Sequence, residues 1–189
     1  GEAIDVAIPD WKTAPPQSKR PRSIQTAVVH TGAAQPVRVW PLERYEKLIT
    51  FLENQGLRVQ LICDTDQEKW WQTKGRQPVV PQSVTELVQQ LETGDIFIGN
   101  DSGPGHLAAA LDLATLTVFG PQLTEWFRPA HPQGMVVEGK QCEYKPCFDT
   151  CRFDTPHCMT EVTFEEVQTI TSSFLEQFKT EPPMLELEL

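Results

Sequence analysis

Ile98-Gly99-Asn100-Asp101-Ser102-Gly103-Pro104-Gly105-His106-Leu107-Ala108-Ala109-Ala110-Leu111 is the stretch on which the fold turns. The apolar run from Asp95 to Gly99 leads into it as a short buried strand. A glycine-rich polar turn follows, then a helix of small residues. That order sets backbone N–H groups, a carboxylate, a hydroxyl and an imidazole at one helix N-terminus. The first N–H groups of a helix have no partner within it, and the helix dipole favours negative charge there. The turn therefore reads as an anion site for a phosphate or diphosphate carrying a polar group.

Working outward, strands and helices alternate. Ile24 to His30 is a β-branched run ending in the turn Thr31-Gly32. Pro41 opens a helix with Tyr45, Leu48, Ile49 and Leu52 on one face, closed by Gly56. Leu57 to Cys63 is a second strand, Asp64 to Lys74 a helix, and Val79-Val80 a brief strand. Ser83 with Glu86 makes a capping box before the apolar stripe Val84, Leu87, Val88 and Leu91. Leu116 to Phe119 is a strand ended by Gly120-Pro121, and Met135 to Glu138 an edge strand. Thr163 with Glu166 caps a last helix whose stripe is Val167, Ile170, Phe174, Leu175 and Phe178.

This alternation predicts an α/β fold: a Rossmann-like, doubly wound parallel sheet with helices on both faces. Ligands bind such sheets outside the carboxyl ends of the strands. The turns at Thr31-Gly32, Asp64, Asn100-Asp101 and Gly120-Pro121 are thus expected on one rim. Residues 1–23 hold four prolines and read as a lead-in or linker, 24–180 as the domain, and 181–189 as a tail.

The chain has 189 residues, 39% of them hydrophobic, enough for one ordinary core. No apolar run nears the ~20 residues of a membrane-spanning helix, and no basic-then-apolar leader opens the chain. Its net charge of −10 argues against a nucleic-acid partner. The short cluster Lys19-Arg20-Pro21-Arg22 reads as solvated linker.

The glycine spacing is not the G-x-G-x-x-G of dinucleotide enzymes, nor is there a P-loop Gly-Lys-Ser/Thr. Ser102 and the amides of Gly103, Gly105 and His106 are candidate donors to phosphate oxygens, whereas an ionised Asp101 only accepts. A carboxylate in that place suits sugar hydroxyls or a metal. The plain alternative is a capped helix with Asp101 or Ser102 as N-cap.

Four of the five cysteines lie in the segment 142–158, spaced C-x4-C-x3-C-x6-C. Cys142, Cys147, Cys151 and Cys158 suit a closed structural zinc or iron centre, with two disulfides or four free thiols as the other readings. Cys63, at a strand end, reads as a small buried hydrophobe.

The segment Gly99 to Leu111, then Thr117-Val118-Phe119-Gly120-Pro121, resembles the heptosyltransferases of glycosyltransferase family 9. The likeness extends back to Val29-His30-Thr31-Gly32 and Trp40-Pro41 and forward through the cysteines to the last helix, covering 24–178. It implies a GT-B enzyme of two Rossmann-like domains, with this chain similar to the C-terminal, donor-binding one. The implied donor is a nucleotide-diphosphate sugar such as ADP-heptose. By position, Asp101 would contact sugar hydroxyls; Ser102, Gly103 and His106 would surround the diphosphate. Arg38 would neutralise phosphate, Glu68 would reach the ribose, and Thr31 and Gly32 would lie beneath the donor. Gly105 stands where the family often has a larger apolar residue.

The resemblance also implies an inverting transfer that needs no cofactor. It places the catalytic base in an N-terminal acceptor domain, of the same or another chain, so no catalytic residue is assigned here. A glycan, lipid-linked or protein acceptor is implied, in a bacterial cytoplasm or at the inner membrane's inner face, within lipopolysaccharide biosynthesis. The competing reading is an inactive module that binds nucleotide sugars or a partner. Trp40 reads as packing; Trp126 and Phe127 as a nucleotide wall, a contact to the other domain, or packing.

Overall fold

A computed structural model describes residues 24–148 and 150–179. The expectations for 1–23 and for 181–189 lie outside the described residues.

Five strands form one wholly parallel sheet: β1 (Thr26–His30), β2 (Arg58–Ile62), β3 (Ile96–Asn100), β4 (Ala114–Phe119) and β5 (Met135–Glu138). Their order is β2-β1-β3-β4-β5. Between them run α1 (Leu42–Asn54), α2 (Thr65–Thr73), α3 (Val84–Leu91), α4 (Gly103–Ala110) and α5 (Thr124–Phe127). α6 (His157–Thr160) and α7 (Phe164–Glu176) follow β5.

The central strands are near-continuous apolar runs because both of their faces are buried. Ala27 and Val29 of β1, Ile96 and Ile98 of β3, and Leu116 and Val118 of β4 point to one side. There they pack with Tyr45, Leu48, Ile49 and Leu52 of α1 and with Val167, Phe174 and Leu175 of α7. Val28 and Phe97 point to the other side, against Leu91 and Ala108. The strand alternation and the helical stripes thus meet in two layers of core.

Some expectations are adjusted. Val79 forms an isolated bridge to Ile62 rather than a strand of its own. β4 begins at Ala114, two residues before the expected start. Ser83 accepts from the Glu86 N–H, but the Glu86 carboxylate reaches back to the Gln82 N–H, so the box closes one residue early. Val84 lies on the apolar stripe yet is 67% exposed, because the contact with the sheet begins a turn later. The capping box of α7 forms in full.

The chain runs outward from β1 to β2 and then crosses back to β3 on the other side of β1. The sheet's winding therefore reverses between β1 and β3, where doubly wound folds open a crevice. His30 is in register with Gly99, so the two strands end at the same level on that rim.

Candidate functional site

The turn after β3 carries the chain from Asn100 into α4. Ser102 holds the N-cap position with extended backbone but makes no side-chain cap bond. Its hydroxyl donates back to the Asn100 carbonyl (3.2 Å). Ser102 is thus the N-cap residue by position, without a side-chain cap bond. The glycine-proline start leaves the first turn without bulky side chains, and Pro104 contributes no N–H. Gly103 and His106 are exposed, available to a ligand at this terminus. Gly105 is buried; a Cβ there would press on Pro129 and Phe97, and its amide donates to the Ser102 carbonyl. Its lack of a side chain lets α4 pack closely there.

Asp101 is 3% exposed, and its Oδ2 lies 3.3 Å from Nη1 of Arg38. Arg38 ends a short 3₁₀ turn, Pro36–Arg38, in the connection from β1 to α1. Two residues expected to hold different parts of one ligand are therefore paired with each other.

Thr31 is fully buried. Its hydroxyl donates to Gln67 Oε1 (2.8 Å) and accepts from the Trp71 indole N–H (3.2 Å). It is the floor of the site, with its polar atoms engaged by α2. Gly32 lies directly under the Asp64 carboxylate, into which any side chain there would project.

Asp64 and His30 open onto a rim cavity of about 450 Å³, lined also by Thr65, Pro81, Ser83 and Pro104. His30 Nε2 stands 3.7 Å from Asp64 Oδ1. Burial lowers the imidazole's pKa, while the Asp64 charge and the Gly32 backbone pull it back up. The resemblance pointed to Glu68 as the acid here. Glu68 instead accepts from Gln72 on the α2 surface and is not among the cavity's walls. Asp64 is the acid that lines this cavity. Its position in a post-strand turn was the available signal.

Asn100 had no role assigned from sequence. It is fully buried, and its carboxamide joins the β1 turn to the segment entering α1. Trp40 is a packing residue, edge-on to Tyr45, with its indole N–H donating to the Val162 carbonyl (2.8 Å). Trp126 is 64% exposed beside Phe127 on α5.

Cys142, Cys147, Cys151 and Cys158 line one cavity of about 410 Å³. All are free thiols, so the disulfide reading is not realised. Among the described residues, no three His, Cys, Asp or Glu side chains stand together as a metal-binding set. The four thiols share this one cavity. Hydrogen bonds anchor this segment: Cys147 N–H to the Pro121 carbonyl, Lys145 to Glu138, and Arg44 to the Thr160 carbonyl. Burial pushes the Cys158 thiol up to about 11, with the neighbouring cysteines adding to it. Cys63, buried beside Asp64, is pushed up to about 12 and matches its expectation as a small core residue.

No helix among the described residues is long and apolar enough to cross a membrane.

Residues 5–157 match the model of glycosyltransferase family 9 (heptosyltransferase). Lipooligosaccharide heptosyltransferase 2 of Campylobacter jejuni is 25% identical over 126 residues, which are 66% of this chain and 34% of that protein. The solved structure of Escherichia coli ADP-heptose lps heptosyltransferase II superposes with a TM-score of 0.66 at 17% identity, over 83% of this chain and 48% of that one. That of E. coli heptosyltransferase WaaC with ADP-2-deoxy-2-fluoro heptose gives 0.61 at 20%, over 83% and 46%. The chain thus spans half or less of the length of these relatives. With a glycine-rich turn at the switch point and a family match over most of its length, the chain belongs to glycosyltransferase family 9.

Proposed function

We propose that this chain is the donor-binding part of a glycosyltransferase that uses a nucleotide-diphosphate sugar, with ADP-heptose the leading candidate. The observation that carries the reading is the meeting, at the β1/β3 switch point, of the α4 N-terminus with the Arg38–Asp101 pair. A diphosphate at this terminus would receive its backbone N–H groups and the positive end of the dipole. The guanidinium of Arg38 adds a charge-assisted donor. Asp101 would turn to the hydroxyls of the sugar, and the cavity beside His30 and Asp64 would take the nucleoside. Support for the donor class comes from the WaaC relative solved with an ADP-sugar analogue.

The chemistry this part would supply is stabilisation of the leaving group. In an inverting displacement, an acceptor hydroxyl attacks the anomeric carbon and the nucleotide diphosphate departs with growing negative charge. Arg38 and the helix terminus are aimed at that charge. The acceptor, a glycan, lipid-linked sugar or protein, and the base that deprotonates it would belong to a partner domain. The thiol loop takes no part in this chemistry.

Calorimetric titration of the chain with ADP-, GDP- and UDP-sugars tests the reading. Binding of one class, competed by its free diphosphate, is expected. Failure to bind any of the three would overturn it.

A further inference from the structure

We propose that Asn100 is the positioning residue of this site, a clamp that sets the β1 turn and the Arg38-bearing segment against the N-terminus of α4. The proposal rests on the donor-site reading for its functional meaning and on hydrogen bonds for its geometry.

A carboxamide can donate twice and accept twice. Asn100 makes four bonds to three separate stretches of chain. Its Nδ2 donates to the carbonyls of Thr31 (2.9 Å) and Gly32 (3.1 Å). Its Oδ1 accepts from the Trp40 N–H (3.0 Å) and the Tyr45 hydroxyl (2.9 Å). Burial keeps the Tyr45 phenol protonated, so the hydroxyl acts as a donor. The partners fix which end of the amide is nitrogen.

What the clamp holds is the site itself. Gly32 lies on one side of it; Arg38 stands two residues before Trp40; Asp101 is the next residue in the chain. The Arg38–Asp101 pair therefore spans two segments that the Asn100 side chain ties together. No other residue type reproduces this pattern. An aspartate of the same shape would still accept from Trp40 and Tyr45 but would set an oxygen against two carbonyl oxygens. Protonation restores one donor, so its carboxyl would be held above the usual carboxylate range.

That difference supplies a readout that a generic core defect does not move. Affinity for ADP is measured for the wild-type chain, Asn100→Asp and Leu48→Ala from pH 5.5 to 8. Leu48→Ala is a core change in α1 that removes none of the bonds described. Amide hydrogen exchange at Gly32 and Trp40 is followed in parallel. Expected for Asn100→Asp is a loss of about tenfold to a hundredfold at pH 8 that narrows severalfold toward pH 5.5, with exchange at both amides faster than in Leu48→Ala. A pH-independent loss, or a loss and exchange matching Leu48→Ala, would overturn the proposal. Tyr45→Phe, which removes one of the four bonds, serves if Asn100→Asp does not fold. It should weaken ADP binding about twofold to fivefold and speed exchange at Trp40, and no change in either would count equally against the clamp. If the wild-type chain binds no ADP, the donor reading falls, and the exchange comparison alone decides whether Asn100 holds the two segments.

Discussion

Arg38 and Asp101 face each other across the rim, guanidinium nitrogen to carboxylate oxygen at 3.3 Å, with Asp101 almost wholly removed from solvent. A donor would meet this pair as a unit, phosphate on one side and sugar on the other. Asp101→Ala should weaken binding of a sugar nucleotide far more than binding of the free nucleotide. Arg38→Ala should weaken both by about tenfold to a hundredfold, the worth of a charge-assisted bond. Equal losses for both ligands in Asp101→Ala, read by calorimetry, would remove Asp101 from the sugar.

Arg38→Ala should also lower stability by about 1–3 kcal/mol, since it takes an ionic neighbour from a buried carboxylate. Pairing the change with Asp101→Asn should recover part of that loss. Chemical denaturation of both variants reads the difference; additive losses would show that the pair is not coupled.

His30 gives the fold a defined acid sensitivity. Burial lowers its pKa from 6.5, so the unfolded chain binds this proton more readily than the folded one. The stability it contributes is fully present above pH 6.5 and is lost progressively as pH falls from there through the lowered folded value. His30→Gln should flatten the stability profile below that pH. A variant that retains the wild-type slope would assign the sensitivity to other groups.

The α7 cap responds in a different window. Thr163 donates to Glu166 through its N–H (2.7 Å) and its hydroxyl (2.9 Å), which lowers the Glu166 pKa. A lowered carboxyl stabilises above its unfolded value and loses that contribution as pH falls through the folded one. Thr163→Ala should cost about 0.5–2 kcal/mol at neutral pH. The gap between wild type and Glu166→Gln in thermal unfolding should close on acidification below pH ~4.

Gly139 lies where the chain leaves β5 and meets α6; its N–H donates to the Phe119 carbonyl (2.8 Å). A Cβ at Gly139 would run into the carbonyl oxygen of Cys158, which is backbone and cannot swing away. Gly139→Ala should therefore cost about 1–3 kcal/mol and loosen the thiol loop. In wild type, Cys63 and Cys158 should react last with a thiol reagent; in Gly139→Ala, Cys158 should react sooner. An unchanged order of labelling would separate α6 from this contact.

The parallel sheet was legible because β1, β3 and β4 are apolar on both faces and helical stripes fall between them. The turn after β3 was legible because strand, glycines and helix are contiguous. Legibility failed where meaning arises between distant residues. Asn100 answers to Thr31, Gly32, Trp40 and Tyr45, none nearer than 55 positions away in the chain. That the Thr31 hydroxyl is engaged by Gln67 and Trp71, 36 and 40 positions on, is visible only in the folded chain. Asp64 and Glu68 both follow β2 closely; only the path of the chain out of that strand decides which of them lines the rim cavity.

Val162 accepts from both the Trp40 indole and the Arg44 guanidinium, across spans of 122 and 118 residues. Helix α1 thus completes its polar contacts only against a segment synthesised long after it. The segment between β1 and α1 and the first core layer depend on this late return of the chain. Local helices can form early, but closure must wait for residues past 160, which makes this a fold of high contact order. A nascent chain stopped short of Val162 would expose the apolar face of α1 and the Trp40 donor together, a surface that invites chaperone capture or aggregation.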